Sequence, residues 1–402
     1  MEQQINKKRG KLRAIIICIL IFVSGLGAGQ FLSKKYSKNL DRTLDPADNP
    51  IKIGVLLAMD GRSSELGHSI EKGIKLAHKL TPTILGRPVK LVFFDNKGEK
   101  KLAKKLAKTL IEDEKVDCII GSNSSDIAMA VAKVAESAGV PLLVPSATNP
   151  LITANKKYVF RACFVDTFQA SAAAFFAIKD LASKTAAIIA ENDSIYSNGL
   201  AKNFEDNYVS RGGKVVERLA YDRGDRNFAP LIKQAMKAGV DLLYMPANFA
   251  EGSLILSQAA DMGADFCILA SDTMDKSDLI KLKGSAVDNF CFTTFAYSAN
   301  MAQKLIDNKQ KAFNDTWRRN FPRKTPNAFN AIGFDSYNLM LEAIKKSGTA
   351  EKDEIQHAFE GIEFDGVTGK LKMNEFHNAE KPVGIVKIIN GKQKMTAIIE
   401  RK

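Results

Sequence analysis

Residues 51–82 read IKIGVLLAMDGRSSELGHSIEKGIKLAHKLTP. The apolar residues Ile51, Ile53, Val55, Leu56 and Leu57 are dense enough for a strand covered on both faces. They give way to a polar turn, Asp60-Gly61-Arg62-Ser63-Ser64. Beyond it Leu66, Ile70, Ile74 and Ala77 recur at helical spacing along one face. Strand, turn and helix in this order form the building unit of a parallel sheet, and such sheets take ligands at the carboxyl ends of their strands.

The unit repeats. VKLVFFD (89–95), VDCIIG (116–121), VPLLVPSAT (140–148) and YVFRACF (158–164) read as further strands, with a helix AMAVAKVAESAG stopped by Gly139. The pattern then restarts through TAAIIAEND (185–193), KVVERLAY (214–221), VDLLYMPAN (240–248), DFCILASD (265–272) and FCFTTFAY (290–297), with helical text between. An amphipathic helix follows at AFNAIGFDSYNLMLEAIKKSG. The end reads as a strand hairpin with Asn390-Gly391 as its turn. A chain of 402 residues exceeds one ordinary core. Two restarted α/β units with a C-terminal third shared between them imply two lobes, 51–164 with 295–362 and 165–294 with 363–402. Several crossings would join them. A cleft between such lobes is a natural small-molecule site.

The net charge is +13, and the first 49 residues hold nine Lys/Arg against four Asp/Glu. Outside them the basic residues are densest at 97–108, KGEKKLAKKLAK, around an apolar stripe of Leu102, Leu106 and Leu110. That pattern reads as a solvated helix face, with a membrane-surface contact as the alternative. No recognition fold or interleaved aromatic pattern points to nucleic acid. Cys118, Cys163, Cys267 and Cys291 lie more than twenty residues apart without a CxxC and read as buried free thiols. Four scattered histidines form no HExxH, and neither GxSxG nor a P-loop lysine motif occurs. The expectation is therefore no enzyme, no metal and no cofactor.

Lys7, Lys8, Arg9, Lys11 and Arg13 precede AIIICILIFV and the small residues SGLGAG, the order of a secretory signal. The twenty residues between Arg13 and Lys34 carry no charge, which is also enough to span a bilayer. Residues 1–33 thus read as a signal peptide or an N-terminal membrane anchor. Residues 34–50 read as a polar tether, and the body as exported.

Four pieces in order, IKIGVLL with ELGHSIEKGIKLA, then VDCIIGSNSSDIAMAVAKVAESAGVPLLVPSATNPLIT, then ENDSIYSNGLAKNF, then AFNAIGFDSYNLMLEA, resemble the type I periplasmic binding proteins. The branch they resemble most is the leucine/isoleucine/valine-binding proteins of amino-acid ABC transporters. The resemblance implies a two-lobed α/β fold, each lobe a parallel-rich sheet flanked by helices. It also implies an amino acid held as the lobes close. It maps Ser125 and the helix amides beside it to the ligand carboxylate. An ordinary N-cap is the other reading of Ser125. Ser146, Ala147 and Thr148 map to the second loop, where the Ser146 carbonyl takes the ammonium and Thr148 meets both ligand ends. Tyr196 maps to an aromatic brought from the second lobe. Asp272 maps to the acid for the ammonium, although it is a methylene shorter than the Glu of several relatives and also suits an N-cap. Asn248 stands where an aromatic wall is usual, so that the side-chain pocket is either more polar or completed by Phe249, and Leu66 and Phe334 are further wall candidates. The implied function is an exported protein that captures a small amino acid or related carboxylate for an ABC permease in the periplasm or on the outer face of the inner membrane. The alternative is a membrane-tethered sensor or envelope assembly factor on the same fold.

Overall fold

The computed structural model describes residues 49–276, 279, 290–299, 301 and 306–401. The expected leader and nearly all of the expected tether lie outside the described residues. Residues 51–85 and 89–402 form one unit, which carries everything below.

Its first sheet is ordered β2-β3-β1-β4-β5-β6, from β1 (Ile51–Leu57), β2 (Thr83–Ile84), β3 (Arg87–Asp95), β4 (Cys118–Gly121), β5 (Leu142–Val144) and β6 (Val159–Arg161). All pairings from β3 through β6 are parallel. The second sheet is ordered β16-β15-β11-β10-β9-β7-β8, from β7 (Thr185–Glu191), β8 (Lys214–Tyr221), β9 (Leu242–Met245), β10 (Cys267–Ala270), β11 (Phe290–Phe295), β15 (Val383–Ile389) and β16 (Lys392–Ile399). The pairings from β8 through β11 are parallel, and β15 and β16 add an antiparallel edge. In each sheet the strand that starts the unit lies inside, with its successor on one side and the later strands on the other. The order therefore reverses beside β1 and again beside β7, and crevices open at the carboxyl ends there.

Both sheets are covered on both faces, as parallel strands require. Ile51, Ile53, Val55, Cys118, Ile120 and Leu143 face α1 (Ser64–Leu80) and α9 (Ala328–Ser347). Leu56, Ile119, Leu142 and Val144 face α2 (Lys100–Glu112) and α3 (Ser125–Ser137). In the second sheet Ala186 and Ile188 belong with α4 (Asp166–Lys179) and α5 (Ile195–Ser210). Ala187 and Ile189 belong with α6 (Ala229–Lys237) and α7 (Phe249–Asp261). One residue of offset sends a side chain to the opposite face, so each short apolar run feeds two cores.

Helices α1 and α9 cross at a glycine contact. A Cβ added at Gly73 would lie 2.0 Å from the Asn330 carbonyl oxygen, and one at Gly333 would lie 2.3 Å from that of Ile70. Only hydrogen fits at either position.

The remaining elements are α8 (Asn308–Asn320), α10 (Lys352–Phe359) and a small sheet of β12 (Glu363–Gly366), β13 (Gly369–Met373) and β14 (Ala379–Glu380). The sequence reading groups 363–380 with the second lobe; within this segment His377 and Asn378 meet residues on and beside the first sheet. The Arg161 N–H donates to the His377 carbonyl at 3.1 Å, Thr153 bonds Asn378 at 3.0 Å, and the His377 ring stacks on Phe160 at 4.2 Å. The expected terminal hairpin is present as β15 and β16. Its turn residues Asn390 and Gly391 both have positive φ, 52° and 66°, as a tight two-residue hairpin turn needs. No helix of the described residues is long and apolar enough to cross a membrane. Cys118, Cys163 and Cys291 are buried free thiols, while Cys267 is only half-buried.

Candidate ligand-binding site

The carboxyl ends of both sheets open into one cavity of about 490 Å³. From the first sheet come Arg62, Ser63 and Leu66 after β1, Asn123, Ser124 and Ser125 after β4, and Ser146, Ala147 and Thr148 after β5. From the second come Ser194 and Tyr196 after β7, Asn248 after β9, and Asp272 and Thr273 after β10. Phe329 on α9 closes one wall. Its ring lies edge-on to Phe295, centroids 5.4 Å apart, and Phe295 in turn packs on Phe164 at 5.0 Å.

The loops of the first sheet are tied to one another. Asn123 Oδ1 accepts the Ala58 N–H at 2.8 Å, and its amide donates to the Ser63 carbonyl at 3.1 Å. The Ser125 hydroxyl accepts the Asn149 N–H at 3.4 Å, joining the β4 and β5 loops. Ser124 is the N-cap of α3 and Ser125 its first helical residue. The N-cap reading of Ser125 is thereby corrected by one position: the β-region backbone sits at Ser124, so the turn starts there. The Ala147 carbonyl accepts from Arg161 at 3.3 Å and from the Cys163 thiol at 3.5 Å, so it is occupied from within.

Across the cavity, the Tyr196 hydroxyl donates to Asp272 Oδ1 at 2.7 Å, and the Gln169 amide donates to the same oxygen at 2.8 Å. Asp272 opens a short 3-10 turn, residues 272–274, whose cap is Ser271. Its N-cap reading is likewise displaced by one residue. Burial pushes the Asp272 carboxyl up, against the hydrogen bonds from Tyr196 and Gln169. Burial also pushes Asp166, at the start of α4, up to about 7. The Thr148 hydroxyl and the Arg161 guanidinium pull Asp166 the other way, while Asp272 adds to the shift. Of the two carboxyl groups only Asp272 lines the cavity.

An ionic cluster bounds the second-sheet side. Arg62 meets Glu191 at 3.1 and 2.7 Å and Glu251 at 2.5 Å. Arg223 adds a bond to Glu191 at 2.8 Å, and the Asn248 amide reaches Glu191 at 3.4 Å. Burial disfavours the Arg62 charge, but its hydrogen bonds to Glu191 and Glu251, together with their negative charges, outweigh it and raise its basicity further. Nearby, Lys276 pairs with Glu65 of α1 at 2.8 Å.

Of the wall residues expected from sequence, Leu66 and Asn248 line the cavity, while Phe249 and Phe334 do not. The Phe249 ring lies under the Lys276 ammonium at 4.2 Å, and Phe334 packs edge-on to Phe313 at 5.2 Å. Phe329 precedes Phe334 by five residues, about 140° around a helix, so only one of the two can face the cavity. Sequence reading missed Phe329, Arg62, Asn123 and the acids Glu191 and Glu251. Arg62 stood in the first quoted turn, but nothing local to that turn showed its partners. Among the described residues no group of three His, Cys, Asp or Glu is placed to hold a metal ion.

Two doubly wound sheets with a polar cavity formed by loops of both define a two-lobed solute-binding protein. The chain belongs to the periplasmic binding protein family, whose model matches residues 50–393. It is similar to the leucine-binding protein LivK of Thermotoga maritima, with 35% identity and a TM-score of 0.82 over 87% of this chain and 99% of that one. It is also similar to the branched-chain amino acid transporter substrate-binding protein LivJ of Streptococcus pneumoniae in complex with isoleucine. There the identity is 28% and the TM-score 0.78, over 87% and 99% of the two chains. A Leu/Ile/Val-binding protein homologue of Brucella melitensis is 28% identical over 83% of this chain and 89% of its own length.

Proposed function

We propose that the protein is exported, captures a small amino acid or a related carboxylate between two closing lobes, and delivers it to an ABC permease without catalysing a reaction. The observation that carries this reading is the convergence of Ser125, Ser146 and Thr148 from the first sheet with Tyr196 and Asp272 from the second on one cavity. Backbone amides at the start of α3 and the hydroxyls of Ser125 and Thr148 suit a carboxylate. Asp272, held by Tyr196 and Gln169, suits an ammonium. Tyr196 would cap the site as the halves close. The relatives named above, an isoleucine complex among them, support this cargo class and give no support to a sensor or assembly role. An extracytoplasmic location follows from the family and the charged-then-apolar leader.

The test is calorimetry of the purified protein against a panel of amino acids, small carboxylates and amides. Micromolar or tighter binding of an amino acid, weakened in Ser125→Ala and Thr148→Ala, is the expected result. Silence across the whole panel would overturn the reading.

A further inference from the structure

Helix α2 is built against two rules of helix electrostatics. Its N-cap is Glu99, but its first turn carries no acid and has Lys100 and Lys101 instead, with Lys97 just before the cap, where the helix dipole favours negative charge. Lys100/Lys104, Lys104/Lys108 and Lys101/Lys105 are like-charged pairs at i,i+4, each destabilising to the isolated helix. At about 100° per residue these five lysines occupy an arc of about 140°, over a length of about 12 Å. All five are exposed, while Ala103, Ala107 and Leu110 bury the opposite face. From Lys100 to Ile111 there is no acidic residue. The ion pairs at this end are Lys100 with Asp126 at 3.1 Å and Lys97 with Asp60 at 4.0 Å. Other exposed helices of the chain mix their charges, as in the i,i+4 pair Lys202–Asp206 of α5 and the Lys75–Glu71 pair of α1. A sequence that forgoes such pairing and concentrates one sign on one face gains from a partner of opposite charge.

We propose that the lysine face of α2 docks on the anionic phospholipid headgroups of the membrane beside which the protein works. Charge complementarity carries the choice. Five ammonium groups on one helix face, with Glu99 and Asp126 only at its N-terminal end, suit a sheet of phosphates, and basic residues near an anionic leaflet add binding one by one. Lys97, Lys100 and Lys101 also line the cavity, so docking through α2 turns its mouth toward the bilayer, where a permease lies. The proposal rests on the extracytoplasmic location given above, but not on the identity of the cargo.

The experiment uses the full chain with vesicles of phosphatidylcholine alone or with 30% phosphatidylglycerol. Lysines are acetylated with a water-soluble reagent and read by peptide mass spectrometry. In 50 mM salt, labelling of Lys104, Lys105 and Lys108 should fall at least threefold on the anionic vesicles and recover in 500 mM salt. The exposed Lys202 and Lys214, on the second-sheet half, should not change. The triple variant Lys104→Gln, Lys105→Gln, Lys108→Gln should lose the protection of Lys101, while amino-acid binding, measured on the same sample, stays as it was. Equal labelling on both vesicles would overturn the proposal. Protection seen only in native membranes, and not on pure lipid, would overturn it too, in favour of an acidic protein surface. A failure of amino-acid binding in the unmodified chain would count against the cargo reading alone.

Discussion

The guanidinium of Arg62, in the turn after β1, meets both carboxylate oxygens of Glu191, at the end of β7, at 3.1 and 2.7 Å. A residue of the first sheet's loops is thereby bound in fork geometry to the last residue of a strand in the second sheet. The Glu191 side chain is fully buried, and Arg223 holds the same carboxylate from the side. Burial opposes its charge, but the hydrogen bonds from the two arginines outweigh it and hold its carboxyl below the usual range.

Because this pair bridges the loops of the first sheet to the second, beside the cavity, Glu191→Gln should weaken ligand binding. Truncating one partner of a hydrogen-bonded charge pair costs about 2 kcal/mol or more, so a loss of roughly thirtyfold or more is expected. The loss should appear mainly as faster release, with a weaker dependence on salt. Stopped-flow release rates at 50 and 500 mM salt measure both. Unchanged release would mean that Arg62 and Glu191 are paired in the open state as well.

Asp272→Asn keeps an oxygen to accept from Tyr196 and Gln169 but removes the negative charge. We expect amino-acid affinity to fall about tenfold or more, the worth of a hydrogen bond to a charged group. Affinity for the deaminated carboxylate of the same side chain should change little. Calorimetry on the pair of ligands separates the two cases, and an equal loss for both would take the ammonium away from Asp272.

Gly333→Ala should destabilise the fold without touching the cavity, because the added methyl would meet the Ile70 carbonyl at 2.3 Å. Overpacking of this kind costs about 1–3 kcal/mol. Urea denaturation should show a lower midpoint with an unchanged slope, and amino-acid affinity should persist below the transition. An unshifted midpoint would show that α1 and α9 can separate at no cost.

Asp166 carries a pH signature. Its folded carboxyl titrates near 7, above its unfolded value, so the native state binds the extra proton. Its contribution favours the fold at low pH and is lost as pH rises from the unfolded value toward about 7. Asp166→Asn cannot ionise. Relative to the parent, the variant's melting temperature in the absence of ligand should therefore climb between pH 4 and 7 and then level off. A difference that stays flat with pH would mean that Asp166 is ionised throughout.

The sequence by itself determined the units and their order. Apolar runs such as Ile51–Leu57 and Thr185–Glu191, each followed by a polar turn and a 3.6-residue stripe, set strands and helices through local patterning alone. Patterning also marked the strand ends as the place for polar loops, but Ser125, Ser146, Thr148, Tyr196 and Asp272 were singled out by the resemblance to the type I periplasmic binding proteins. It could not reveal a partner more than a hundred residues away. Arg62 reaches Glu191 and Glu251, Gln169 reaches Asp272, and Asn378 reaches Thr153, each pairing made only when separate elements pack. Nor could patterning choose between Phe329 and Phe334, both apolar on one helix, since the face that meets the cavity depends on how α9 is rotated against α1. That rotation is set by the close contact at Gly73 and Gly333, a property of two surfaces rather than of either sequence segment.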